Sequence, residues 1–494
     1  KTACPAHIAV QGYLKLAAQG KYREALQLIK RENPFPAVCG RICNRRCEDA
    51  CTRGTVDQAV AIDEVKRFIA QQDLDAATRF VPEKVIPKVD GAFDQQIAII
   101  GGGPAGLSCA YYLAEKGYRP TVFEKEQRLG GMLENGLPSF RLEKDVVQAE
   151  IDVLREMGVQ FRCGVEVGKD VTIAQLREQG YQGFYVAVGL QSGGRLNIPG
   201  DDAQGVTAGI DFMRRVNGGQ ETKLEGRVVV IGGGNIAADV ARTAVRCGAE
   251  SVDLYCLEGY DEMPMGAEDR SECERDGVTI HAGWGQTEVV TRDGHAAGIR
   301  FRKCLRVKDD QGRFAPVFDD NDACEAACAT VLYCIGQKVD WRQLLTGTAV
   351  TFNPNGTAQV DPVTYQTAEP DIFAGGDAVT GQKFAIDAIA AGKEGAISLH
   401  RFVQKATLTI GRNRRQFVEL DKENALIPVG FDNTPRQRIG YNEALRRTFR
   451  DERIAFTAQQ VQKETARCLS CGASVVDPNK CIGCGVCTTK CAFD

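Results

Sequence analysis

Gln96-Ile97-Ala98-Ile99-Ile100-Gly101-Gly102-Gly103-Pro104-Ala105-Gly106 is the stretch that decides the fold. An apolar strand runs straight into G-x-G-x-x-G, and an alanine-rich helix follows to Gly117. Each glycine has its own task in such a turn. Gly101 lets the chain turn tightly, Gly103 lets a pyrophosphate approach the backbone, and Gly106 lets helix pack on strand. The phosphates then meet backbone N–H groups at the helix N-terminus, which opens with Pro104 and Ala105, Pro104 itself having no N–H to give. Glu124 ends the next strand, Thr121-Val122-Phe123-Glu124, where a carboxylate can accept hydrogen bonds from ribose hydroxyls. Asp371-Ile372-Phe373-Ala374 is another apolar strand, and it ends in Gly375-Gly376-Asp377. Gly376 and Asp377 are therefore candidates for the ribityl or pyrophosphate region of a flavin.

The same pattern recurs at Arg227-Val228-Val229-Val230-Ile231, followed by Gly232-Gly233-Gly234-Asn235-Ile236-Ala237 and a helix to Cys247-Gly248. This is G-x-G-x-x-A, with Gly232, Gly234, Asn235, Ile236 and Ala237 at the nicotinamide dinucleotide. The strand after it, Val252 to Leu257, ends at Glu258. An acid there binds the 2′-hydroxyl of NAD and repels the 2′-phosphate of NADP; Asp261 or Glu262 could serve the same end. Two such units predict an α/β chain with two dinucleotide-binding, Rossmann-like domains.

The chain has 494 residues, enough for two to four domains at about 150 residues each. It is 43% hydrophobic and 26% charged, with a net charge of -4 and no block of like charge. Nothing in it points to nucleic acid or an anionic membrane. It has no apolar run of about 18 residues and no signal-peptide pattern. The chain opens without Met, at Lys1-Thr2-Ala3-Cys4-Pro5, and stops at Cys491-Ala492-Phe493-Asp494, so it reads as a fragment trimmed at both ends.

Of its 20 cysteines, many lie near the two ends at ligand spacing, which favours metal clusters in a reducing cytoplasm over a secreted disulfide scaffold. Cys481-x-x-Cys484-x-x-Cys487-x-x-x-Cys491 is ferredoxin spacing for a [4Fe–4S] cluster. Ala492 stands where Pro is usual, and in two-cluster ferredoxins the fourth thiol serves the other cluster. Cys468 and Cys471 precede this motif. With Cys481 and Cys484 they also fit a zinc ribbon; otherwise they ligate a further cluster with a partner thiol, or pack. At the front, Cys39, Cys43, Cys47 and Cys51 recur at helical period, which on one ideal helix puts four thiols on one face. Cys109, Cys163, Cys247, Cys256, Cys273, Cys304, Cys324, Cys328 and Cys334 read as core residues. The four His are not paired at helical spacing, so no His-based metal site is expected.

These features divide the chain into a helical iron–sulfur domain (1–90), a first part of an FAD domain (91–215), an NAD(P) domain (216–338) and a second part of the FAD domain (339–405). A charged, irregular tail or linker (406–466) and a small, truncated ferredoxin-type segment (467–494) complete it.

Asn33-Pro34-Phe35-Pro36, Arg41-Ile42-Cys43, Cys47-Glu48-Asp49-Ala50-Cys51, Leu129-Gly130-Gly131-Met132 and Gly136 to Arg141 join the two glycine loops as a specific set. Glu262-Met263-Pro264, Gly375-Gly376-Asp377 and Ala466-Arg467-Cys468-Leu469-Ser470-Cys471-Gly472 complete it. The set resembles the small (beta) subunit family of NADPH-dependent glutamate synthase. That family includes the amino-terminal module of dihydropyrimidine dehydrogenase and the large subunit of NADH-dependent ferredoxin:NADP oxidoreductase. The likeness covers residues 4 to about 471, and the final segment resembles an appended bacterial ferredoxin motif.

The resemblance implies two [4Fe–4S] clusters in the helical domain. Cys4, Cys43 and Cys47 match ligands of one, and Cys51 the fourth ligand of the other, whose remaining thiols would lie before Lys1. It implies further FAD contacts at Lys125, Gly130, Gly131, Met132, Arg141 and Gly189. The chain departs from the family at three places. Lys66 falls where a Glu or Gln ligates a cluster, so either Cys39 substitutes or the cluster is altered. Leu257-Glu258 falls where paired Arg meet the NADPH phosphate. Val188 replaces a usual Thr.

Together these readings predict an NAD(P)H:acceptor oxidoreductase, NAD(H) favoured over NADP(H), that passes hydride to FAD and single electrons to [4Fe–4S] clusters. The expected partners are other subunits of a cytoplasmic electron-transfer complex: a synthase, a hydrogenase-like module or a ferredoxin. Flavin-based electron bifurcation is open to such a chain, and the alternative is a glutamate synthase small subunit. A pyridine-nucleotide disulfide reductase would need a redox dithiol at the flavin, for which Cys324 and Cys328 are the sole candidates. A non-catalytic wiring subunit would not need both glycine loops intact.

Overall fold

The computed structural model describes residues 3–83, 93–220, 223–412, 421, 430–471 and 482–485. Each strand–glycine–helix unit supplies the central strand of a five-stranded parallel sheet. The first sheet runs Ile372–Ala374, Tyr181–Val186, Gln96–Ile100, Thr121–Glu124, Gln160–Cys163. The second runs Val206–Ala208, Thr330–Tyr333, Arg227–Ile231, Ser251–Cys256, Val278–Ala282. Both central strands are exposed at their first residue and buried at the other four. A parallel strand covered on both faces has no polar side to show, which is why each reads as an unbroken apolar run.

The second sheet starts before the boundary placed at residue 216, because Val206–Ala208 pairs with Thr330–Tyr333. A three-residue strand is too short to display a period. A separate antiparallel sheet of Trp284–Arg292, His295–Lys308 and Phe314–Ala327 lies between the last two strands of the second sheet in sequence. It was not anticipated.

Helix Pro104–Glu115 lies against helix Ala385–Val403, and the fit depends on glycine. A Cβ on Gly392 would stand 2.2 Å from the Ala105 carbonyl oxygen. This contact brings the loop at Gly376 up to the first glycine loop, where a Cβ on Gly376 would meet Ala105 Cβ at 2.9 Å.

The N-terminal unit is helical, with helices Val10–Ala18, Tyr22–Lys30, Pro36–Ile42, Arg46–Asp49 and Ile62–Ala70. The reading of Cys39, Cys43, Cys47 and Cys51 as one helical face does not survive. Helix Pro36–Ile42 stops where Cys43 turns extended, Arg45 adopts the left-handed conformation at φ +56°, and Cys51 is again extended. The thiols are thus spread around a double turn. Helix Pro36–Ile42 presses on helix Ile62–Ala70 so closely that a Cβ on Gly40 would stand 2.7 Å from Arg67 Cα.

Glu150, from helix Lys144–Glu156 of the FAD unit, caps the cysteine-bearing helix from outside. Its carboxylate accepts from Ala37 N–H at 2.8 Å and Val38 N–H at 2.9 Å, and the residue is fully buried. Removing it leaves two buried donors unmet, so Glu150→Ala should cost about 2–4 kcal/mol in chemical denaturation. Burial pushes the Glu150 carboxyl up to about 8. A carboxyl raised in the folded state favours folding below its unfolded value of about 4.5, and that contribution is lost as pH rises through about 8. The fall in stability over this window should vanish in Glu150→Gln.

The tail is more ordered than its composition suggested. Helix Ala458–Ala466 opens with a reciprocal capping box between Thr457 and Gln460, a spacing legible in the sequence. It ends at Arg467, which is 0% exposed and pairs with Glu464 at 2.7 Å and Asp57 at 3.0 Å. Among the described residues no helix is long and apolar enough to cross a membrane.

Candidate functional site

The two glycine loops face one cleft of about 1240 Å³. In the first loop Gly101 has φ +108°, and a Cβ there would stand 2.4 Å from the Ala187 carbonyl oxygen. A Cβ on Gly106 would stand 2.0 Å from the Gly101 carbonyl oxygen. Gly103 differs: its backbone is extended, and a Cβ would find only Gly131 Cα, at 3.8 Å. Gly101 and Gly106 therefore make the turn, while Gly103 keeps space open for what the turn holds.

The other residues assigned to FAD gather on the same cleft, whose lining includes Gly101, Gly103, Pro104, Ala105, Glu124, Lys125, Gly131, Met132, Gly189, Gly376 and Asp377. Gly130 sits just behind, donating its N–H to the Gly102 carbonyl at 2.8 Å. Gly131 presses on Gly103, with a Cβ position 2.8 Å from Gly103 Cα. Glu124 accepts from Gly102 N–H at 2.7 Å and Glu126 N–H at 2.9 Å, so the loop itself orients the carboxylate. Burial pushes the Asp377 carboxyl up to about 6.

Arg141 borders the cleft but is already engaged. It pairs with Asp239 at 2.8 Å and Asp269 at 2.7 Å, both from the second nucleotide unit, and so ties the two units together.

The second loop repeats the first. Gly232 has φ +136°, with a Cβ position 2.4 Å from the Cys334 carbonyl oxygen, and around Gly234 no atom lies within 4 Å of one. Ala237 is fully buried at the helix–strand contact. Asn235 and Ile236 line the cleft, and the Asn235 Oδ1 is buried without a partner. Glu258 stands directly over this loop, its Oε2 2.9 Å from the Cβ position of Gly233. Open cradles at Gly103 and Gly234, with an unmet polar atom between strand and helix, fit two dinucleotides.

The helical unit reaches the same place. Ile42 lines the cleft, and its neighbour Cys43 borders a smaller cavity shared with Asn235 and Arg141. Cys4, Cys43 and Cys47 share a neighbourhood with Lys66 and Asp63. Lys66, 4% exposed and paired with Asp63, is held cationic there and cannot ligate iron. Cys39 is buried beside Lys66. Cys51 has Cys468 for a neighbour, Cys484 is exposed, and Cys481, Cys487 and Cys491 lie outside the described residues. No group of three or more His, Cys, Asp or Glu among the described residues could hold a metal ion.

Two residues were missed in the sequence. Arg46, beside Cys47, makes a bidentate pair with Asp387 at 3.0 and 3.1 Å and lies 5.6 Å from the Phe384 ring. Phe384 lines the cleft and precedes helix Ala385–Val403. No local signal betrays an ion pair between residues so far apart in the chain.

The family described as pyridine nucleotide-disulphide oxidoreductase matches residues 95–392, and the 4Fe–4S domain II of dihydropyrimidine dehydrogenase matches residues 1–78. The beta subunit of NADP(+)-dependent formate dehydrogenase from Moorella thermoacetica is 34% identical over 95% of this chain and 69% of its own. The small chain of NADPH glutamate synthase from Halomonas elongata is 34% identical over 79% of this chain and 85% of its own. Among solved structures, Mycobacterium tuberculosis FprA in complex with NADPH has a TM-score of 0.55 at 18% identity, over 63% of this chain and 85% of that one.

Proposed function

The chain belongs to the pyridine nucleotide-disulphide oxidoreductase family, in the branch shared with the glutamate synthase small chain, and on that premise we propose that it is the FAD- and iron–sulfur-bearing subunit of an electron-transfer complex. The observation that carries this reading is the single cleft lined by both glycine loops and by Ile42, the residue before Cys43. Bound FAD supplies the chemistry, accepting a hydride and releasing electrons singly. The chain's own residues bind and orient. Gly103 and Gly234 admit the two pyrophosphates, and Glu124 and Asp377 take positions for hydroxyls on the flavin side. No protein acid or base is required, because hydride passes between two cofactors.

Glu258 motivates the choice of NADH over NADPH, although both relatives above carry NADP(+) or NADPH in their names. Cys43 and Cys47, with Cys4, hold the cluster closest to the flavin. The compartment is proposed as a reducing cytoplasm, because the spacing of the terminal cysteines favours metal clusters over disulfides. The disulfide-reductase reading finds no support, because Cys324 and Cys328 are absent from the cleft lining. The partners are proposed as companion subunits of the complex, a synthase or ferredoxin module among them, with bifurcation at the flavin still open to test.

Anaerobically purified protein should contain one FAD per chain and at least about eight iron atoms per flavin, with matching sulfide. FMN, no flavin beside intact clusters, or stoichiometric zinc would overturn the assignment. Native mass determination should find companion subunits. A lone homodimer that reduces a small organic substrate at full rate would end the complex reading.

A further inference from the structure

The chain passes between the flavin unit and the nicotinamide unit twice, and the crossings are slight. Ser192–Gly193 pairs antiparallel with Gln337–Lys338, two residues on each side, and Gly194 donates its N–H to the Gly336 carbonyl at 2.9 Å. A ribbon so short, flanked by glycine, has little resistance to bending. By itself it would let the nicotinamide unit swing about the flavin unit, and the two glycine loops would share one cleft only part of the time.

The tail closes this junction from outside. Gly440–Tyr441 pairs with Arg453–Ile454 as a small antiparallel hairpin, and around its second strand the side chains reach three units at once. The Arg453 guanidinium donates to the Arg41 carbonyl of the helical unit at 2.9 Å and to the Arg141 carbonyl of the flavin unit at 2.8 Å. Its Nε donates to Asp451 at 2.9 Å, and Asp451 pairs with Arg67 of the helical unit at 3.1 Å. Glu452, between them, pairs with Arg275 of the nicotinamide unit. The Thr448 carbonyl, in the same hairpin, accepts from Arg246 Nε of that unit at 2.8 Å. The side chains of Arg453, Asp451 and Glu452 are 11%, 4% and 8% exposed. Ion pairs so far out of water hold a geometry that surface pairs do not, because breaking one strands a buried charge.

We propose that Arg453 is a positioning residue for hydride transfer: through it the tail hairpin splints the nicotinamide unit in the orientation that sets the second glycine loop opposite the first. Arg453 does not line the dinucleotide cleft. It borders the smaller cavity, together with Arg141 and with Asn235 at the start of the second loop's helix. By holding the Arg141 carbonyl it fixes the backbone whose side chain grips Asp239 and Asp269 of the nicotinamide unit, so hairpin and ion pairs act as one brace. The brace takes up the freedom that the two-residue ribbon leaves. That freedom matters because a misplacement of about 1 Å between reacting groups costs about a hundredfold in rate. The inference rests on the reading of the cleft as the meeting place of NAD(P)H and FAD.

The test uses the full chain with its flavin, as Arg453→Met and as Glu452→Gln. Mixed anaerobically with NADH in single turnover, each variant should show a limiting rate of flavin reduction lower by at least about tenfold, while the Kd for NADH moves less than about threefold. Hydrogen exchange gives a second reading, independent of turnover. Amides of residues 190–194 and 334–338 should exchange at least about tenfold faster in the variants, with those of helix Pro104–Glu115 unchanged. Should Arg453→Met lose its flavin, Arg453→Lys, which keeps the charge and loses the fork, carries the same expectations. An unchanged limiting rate in a variant that retains flavin would overturn the proposal. So would faster exchange throughout the chain, or loss of flavin from all three variants, the marks of residues that merely hold the fold. A wild type whose flavin neither NADH nor NADPH reduces would end the reading of the cleft, and this proposal with it.

Discussion

Gly103→Val should give a protein that folds with wild-type stability and retains no flavin. The backbone at Gly103 is extended, at φ -84° and ψ -178°, which any residue adopts, and a new side chain meets no protein atom closer than 3.8 Å at its Cβ. It would instead fill the space through which a pyrophosphate reaches the helix N-terminus. Losing two charge-assisted hydrogen bonds at about 1.5–3 kcal/mol each weakens flavin binding at least a hundredfold. Gly106→Val should behave oppositely. Its Cβ would lie 2.0 Å from the Gly101 carbonyl oxygen, so helix and strand must separate and the fold should lose about 3 kcal/mol or more. Thermal denaturation and flavin titration of the two variants separate the roles. Equal flavin affinity in wild type and Gly103→Val would remove FAD from this loop.

Glu258→Arg should reverse the choice of nucleotide. In the wild type kcat/KM should favour NADH by roughly ten- to a hundredfold, one charge-assisted contact being worth about 1.5–3 kcal/mol. The carboxylate overhangs Gly233, where the ribose next to the pyrophosphate must sit. Replacing it with a guanidinium removes a repulsion and adds an attraction, so the NADPH-to-NADH ratio should rise by at least about a hundredfold. Steady-state rates with each nucleotide check this. A wild type that uses NADPH equally well would refute the role given to Glu258.

The parts of the fold written in short range were legible. Both glycine loops are local: a strand, a turn and a helix in some twenty residues, with Gly101, Gly106 and Gly232 forced by contacts inside the same unit or its sheet and Gly103 and Gly234 left open for a ligand. The cysteine turn was not, because the break falls at Arg45 in a left-handed conformation that its residue type does not announce. The meeting of Cys51 with Cys468, the Arg46–Asp387 pair and the engagement of Arg141 with Asp239 and Asp269 all join residues far apart in sequence. Periodicity carries no trace of such pairs. The helix after Thr457 is different, since its capping residues stand at the right spacing and were obscured only by the charged composition around them.

Glu150 has a bearing on how such electron carriers can be recombined. The iron–sulfur unit does not own the start of its cysteine-bearing helix, because the carboxylate that completes it arrives from the flavin unit. Residues 1–83 moved alone onto a foreign reductase would leave the N–H groups of Ala37 and Val38 facing an apolar interior. A working transplant has to carry helix Lys144–Glu156 along, so the boundary along which this protein can be cut and pasted runs through its flavin half rather than between the halves.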